Sequence, residues 1–150
     1  MRDYFLEGKG SLFDYFWKGF NSSLITIGVH ELTMQEVLVH SIIEKLFEYL
    51  LFHEASYYTI SLSAFTIYNI GATEKFMDLL FNLADSKGIA NIEVRTREEG
   101  IKIVKEIFNV YNKSNTNGHL FIRLMIYNSK SKIVSCLQLA NIIRHIVVFL

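Results

Sequence analysis

The sequence contains no proline, so Gly, Asn and Ser must make its turns. It has one cysteine, Cys136, which excludes an intramolecular disulfide and a Cys-x-x-Cys zinc site and suits a reducing compartment. It has no net charge, because 15 Lys and Arg balance 15 Asp and Glu. That balance excludes a polyelectrolyte grip on nucleic acid over the whole surface, though not a local basic patch. It also removes long-range repulsion between copies, which favours association. An uninterrupted apolar run is lacking as well. The stretch 133–150 is rich in apolar residues, but Gln138, Asn141, Arg144 and His145 break it, and a membrane span needs about 20 mostly apolar residues. The first residues carry Asp3 and Glu7 and no apolar stretch of signal-peptide length. The expectation is a cytoplasmic protein that does not enter a membrane.

Apolar residues make up 51% of the chain and aromatics 14%. With 150 residues, that is enough for one core and one domain. The domain is read as 1–150, with residues 1–22 as an aromatic N-terminal segment.

Two kinds of segment alternate. Leu24-Ile25-Thr26-Ile27 is a β-branched run ending at Gly28 and reads as a buried strand. Thr33-Met34-Gln35-Glu36 has the form of a capping box and opens a helix expected to reach about His53. Residues 57–62 read as a strand. Thr73 is placed to cap a helix through Ala84, closed by Lys87-Gly88. Residues 89–94 form a third strand, and Thr96-Arg97-Glu98-Glu99 is a second capping box. It opens a helix on which Ile101, Val104, Ile107, Phe108 and Tyr111 share a face. After an exposed turn at 112–118, residues 120–127 are a strand, 133–144 a helix and 146–150 a fifth strand. Strands alternating with helices predict an α/β domain with a mainly parallel sheet and helices on both faces. In such sheets ligands lie beyond the carboxyl ends of the strands.

At the first of these ends, Gly28-Val29-His30-Glu31-Leu32-Thr33-Met34-Gln35 leads straight into a helix. A phosphate-binding loop would read GxxxxGK[ST] over the same positions. Gly28 matches its first glycine. Thr33, Met34 and Gln35 replace the second glycine, the lysine and the hydroxyl residue. Thr33 does not readily adopt the backbone angles that wrap a phosphate. Met34 brings no positive charge, Gln35 offers no hydroxyl to magnesium, and Glu31 adds negative charge. The helix dipole that remains contributes only about 0.3–1 kcal/mol.

Leu12-Phe13-Asp14, Gly19-Phe20 and Ser23-Leu24-Ile25-Thr26-Ile27-Gly28 together resemble the entry to the RecA/KaiC family of ATPases. Leu124-Met125-Ile126-Tyr127-Asn128-Ser129 is similar to that family's second nucleotide motif, with Asn128 where an Asp would stand. Tyr58-Thr59-Ile60-Ser61 resembles its second core strand, followed here by Leu62-Ser63-Ala64-Phe65 without the acid. The resemblance implies a RecA-like three-layer sandwich, reduced in size, and a non-catalytic paralogue with no catalytic residue, cofactor or metal. It implies a RecA-family ATPase or a second copy as partner, and a role assisting recombination and repair. The N-terminal aromatics Phe13, Tyr15, Phe16, Trp17 and Phe20 would then form the partner interface. Lys130 and Lys132, with Arg95 and Arg97, would make weak, salt-sensitive contacts with single-stranded DNA.

Two other readings stay open. One is an adaptor of a KaiC-like signalling or motility ATPase. The other is a small enzyme using His30 and Glu31 as an acid/base pair. Structural roles are expected for the remaining histidines, and a buried, inert thiol for Cys136.

Overall fold

The computed structural model describes residues 5–28, 32–80 and 89–143. Three helices, α1 (Leu12–Trp17), α2 (Thr33–Leu51) and α3 (Arg97–Ser114), accompany six strands. The strands are β1 (Ser22–Ile27), β2 (Tyr58–Ile70), β3 (Thr73–Asp78), β4 (Ile92–Val94), β5 (His119–Asn128) and β6 (Ile133–Ile142). They form one sheet in the order β1-β6-β5-β2-β3, with β4 also pairing β2.

The sheet is mixed, which corrects the mainly parallel one expected. Only β1 and β6 run parallel; β2 is antiparallel to β3, β4 and β5, and β5 to β6. Two elements account for the difference. The segment expected to be a helix from Thr73 folds back on β2 as β3, through a two-residue turn in which Gly71 takes φ +61°. The segment expected to be a helix from Ile133 is β6, a central strand between β1 and β5. Its apolar residues Ile133, Cys136, Leu137 and Ala140 recur at helical spacing, but two flanking strands satisfy its backbone and override that pattern. The strand expected over 146–150 and the helix closure at Lys87-Gly88 lie outside the described residues.

Cross-strand partners fix the two faces. Leu24, Leu139, Ile122 and Ala64 stand in one row, and Leu137, Leu124 and Leu62 in the next. This face joins α2 (Val39, Ile42, Ile43, Leu46) and α3 (Ile103, Val104, Ile107, Phe108) in one core. Phe13 and Phe16 of α1 complete it, Phe13 meeting the Tyr49 ring edge-on at 5.1 Å. The opposite face bears Ile25, Ile27 and Val134, exposed at 59%, 68% and 54%. Near its middle Phe65 lies between Phe76 and Phe121, with the Arg123 guanidinium 5.1 Å from its ring. The described elements therefore give a helix layer on one face rather than a sandwich of three layers.

Candidate functional site

The carboxyl ends of the parallel pair β1 and β6 mark the place where a ligand would be sought. Gly28, at φ +74°, turns the chain out of β1 while its N–H still donates to the Ile142 carbonyl at 2.8 Å. Leu32 stands immediately before α2. Leu32, not Thr33, is the N-cap, and its own side chain makes no capping hydrogen bond. Thr33 is the first helical residue, so the capping box expected there does not form.

The first turn of α2 carries one acid, Glu36, and no cation. Met34 is exposed, and Gln35 turns its Oε1 away from solvent, with no hydrogen-bond donor among the described residues. Between the strands, the Thr26 hydroxyl donates to Asn141 Oδ1 at 2.6 Å, and Asn141 is buried. The Ile143 N–H donates to His119 Nδ1 at 2.9 Å. A helix N-terminus offers an anion a partial positive charge and free N–H groups. Among the described residues no cationic side chain of the first turn reinforces them. Val29, His30 and Glu31, including the acid/base pair considered above, lie outside the described residues.

Asn128 is nowhere near this end. Leu120 pairs with Asn141, whereas Asn128 pairs with Ile133. At about 3.4 Å per residue, the eight steps along β5 from Leu120 to Asn128 span about 27 Å. Asn128 Oδ1 instead accepts from the N–H groups of Lys130 and Ser131 and shapes the β5–β6 turn. Gly28 and Asn128, expected to flank one nucleotide, stand at opposite ends of the sheet. The polar residue that faces β1 is Asn141, which the sequence did not single out because its segment reads as helix.

Of the four basic residues, Lys130 and Lys132 lie in the β5–β6 turn at the Asn128 end, and the register of β4 directs Arg95 toward that end. Val94 pairs with Ile60, two residues from the Tyr58 that pairs with Asn128. Arg95 therefore follows close to the β5–β6 turn that holds Lys130 and Lys132. Two of the four are already engaged by carboxylates, Arg97 with Glu44 at 3.0 Å and Arg95 with Glu93 at 3.5 Å. Lys130 lies over the Tyr57 ring at 5.4 Å.

The aromatic segment divides. Phe13 and Phe16 have no exposed surface, so they are core residues and present nothing to a partner. Trp17 stacks on Tyr58 at 5.1 Å. Only Tyr15 and Phe20 stand out into solvent, edge to face with one another at 6.0 Å. Sequence alone did not assign these rings to the core because their partners, Tyr49 and Tyr58, come from α2 and β2.

His53 sits at the end of α2 with Nδ1 2.7 Å from the Tyr49 carbonyl, and His40 lies 4.0 Å from Glu36. Among the described residues no three His, Cys, Asp or Glu side chains converge as a metal site. No helix among them is long and apolar enough to cross a membrane.

Solved structures with a similar arrangement include kinesin motor domains. The C-terminal motor and motor homology domain of Kar3Vik1, fused to a synthetic heterodimeric coiled coil, aligns with a TM-score of 0.65 at 16% identity. The alignment covers 93% of this chain and 44% of that one. The motor domain of the Saccharomyces cerevisiae kinesin-like protein Kar3 gives 0.62 at 15% identity, over 91% of this chain and 51% of that one. The Drosophila kinesin family member NOD, in complex with AMPPNP, gives 0.66 at 12% identity, over 93% and 52%. The chain thus spans about half the length of these structures. No family model and no curated protein matches it.

These likenesses establish the fold and overturn the RecA/KaiC assignment. The recombination role, the recombinase partner and the single-stranded DNA contact went with that assignment and fall with it. The short motifs that carried it were apolar strands followed by a polar residue, a pattern shared by many α/β sheets. The mixed strand order separates the folds where the motifs did not.

Proposed function

We propose that this chain is a kinesin-motor-like unit that does not hydrolyse ATP and binds microtubules in a manner independent of nucleotide. One observation carries the reading. The passage from β1 into α2 has no lysine, no second glycine and no hydroxyl at the position a magnesium ion would need. The NOD structure holds AMPPNP, a triphosphate analogue, so a domain of this fold does accommodate such a ligand. Here the helix opens with Met34, Gln35 and Glu36, so among the described residues only the helix dipole is left, too weak to hold a polyanion.

Microtubules enter as the partner because a motor domain of the same fold is described through its interactions with them. The Kar3Vik1 assembly sets a motor and a motor homology domain together on one coiled coil. A motor-like fold can therefore work beside a second chain, and we assign this chain the part of a companion rather than an engine.

Co-sedimentation tests the proposal directly. The protein should pellet with microtubules to the same extent with ATP, with AMPPNP and without nucleotide. Calorimetry with Mg-ATP should give no heat of binding. Release from microtubules by ATP, or micromolar Mg-ATP affinity, would show a working nucleotide site and overturn it. Failure to pellet under all three conditions would remove the microtubule from the proposal.

A further inference from the structure

Beneath the β1–α2 passage, between α2 and the sheet, lies a cavity of about 490 Å³. Leu24 and Leu139 line it from the sheet, Leu38 from α2 and Phe108 from α3. No charged side chain among the described residues lines it. The cavity is partly open to solvent, and its apolar walls stand against water until a ligand covers them. Its size lies within the range of about 300–1,000 Å³ typical of small-molecule sites.

Two polar features stand at its edge. Thr26 and Asn141 satisfy one another at 2.6 Å. Gln35 does not share in that pair: its Oε1 is buried with no donor among the described residues, and the residue lines the cavity. A buried acceptor without a partner is costly, and a donor supplied by a ligand relieves that cost. An ionised ligand would lose its hydration against these walls with no countercharge in return.

We infer that this cavity binds a small, uncharged, largely apolar molecule that gives one N–H or O–H donor to Gln35. Its walls come from the α2 face, the sheet and α3, so the site stands whether or not the chain binds microtubules.

The probe is N-phenyl-1-naphthylamine, neutral, apolar and carrying a single N–H; 1-phenylnaphthalene is its donorless counterpart. Fluorescence titration of the full chain should show saturable one-to-one binding of the amine, about tenfold tighter than the hydrocarbon. Gln35→Met keeps the bulk and removes the acceptor, so the two probes should then bind alike. Leu24→Trp fills the sheet side of the cavity and should abolish binding of both. Circular dichroism checks that each variant folds; should Leu24→Trp fail, Leu38→Trp fills the same space from the helix side. Absence of saturable binding, an N–H preference that survives Gln35→Met, or binding that survives the filling variants would overturn the inference. Loss of probe as protein concentration rises would assign the cavity to a second copy and also overturn it.

Discussion

Individual side chains settle questions that their types alone left open. Cys136 is a thiol on the open face of β6, not in a helix, and burial pushes its pKa up, against a smaller opposing pull from Arg123. The raised pKa starves it of thiolate at neutral pH, consistent with an inert residue. Asp14 goes the other way. The Gly10 N–H first, and then the Lys18 ammonium at 2.9 Å, hold its carboxyl below the ordinary 3.8. A carboxyl lowered by folding stabilises the native state at pH values above its unfolded pKa. That stabilisation is lost as pH falls through the folded value. Asp14→Asn should therefore lower the melting temperature at pH 7. The gap between variant and wild type should close as pH is taken below 3.8. Melting curves across that range check both halves, and a gap that stayed constant would exclude the linkage.

At the scale of elements, what the sequence discloses depends on where the deciding contacts lie. The start of α3 is legible because its signals are local. The Thr96 hydroxyl accepts from the Glu99 N–H at 3.1 Å, and Glu99 reaches back to the Arg95 N–H at 2.8 Å. The same pattern at Thr33 misleads by one position, since the turn out of β1 makes Leu32 the N-cap. Strand β1 is legible from its β-branched run, and β5 from its nearly continuous apolar one. Strands β3 and β6 are not, because β2 on one side and β1 with β5 on the other decide their state. The absence of the lysine after Gly28 was plain from the sequence. The pairing of Thr26 with Asn141, and the distance of Asn128 from both, were not, because they depend on strand order. The two threonines offer a direct comparison. Thr96→Ala should cost about 1 kcal/mol, the usual loss of a working N-cap. Thr33→Ala should cost less, as Thr33 is the first helical residue and not the N-cap. Urea denaturation of both variants measures the difference, and equal losses would mean that Thr33 caps α2 after all.

The whole molecule is a sheet with one face under α2 and α3 and two unequal sides. Strand β5 has neighbours along both edges, and alternate residues Leu120, Ile122, Leu124 and Ile126 are buried in the core. Strand β1 ends the sheet. Its outer edge pairs with no strand among the described residues, and Ile25 and Ile27 lie open. It also lacks the charges and proline by which edge strands ordinarily discourage further pairing. Opening free energy follows burial and pairing, so amide exchange should be slowest in β5 and in the middle of β2. Within β1, amides bonded to β6 should exchange more slowly than those facing outward, and outward ones should go early. Hydrogen exchange resolved by residue reads this directly. Outward amides of β1 protected as strongly as those of β5, at high protein concentration only, would mean that another chain extends the sheet. Protection independent of concentration would place the missing strand within the chain itself, and the description of β1 as an edge would fail.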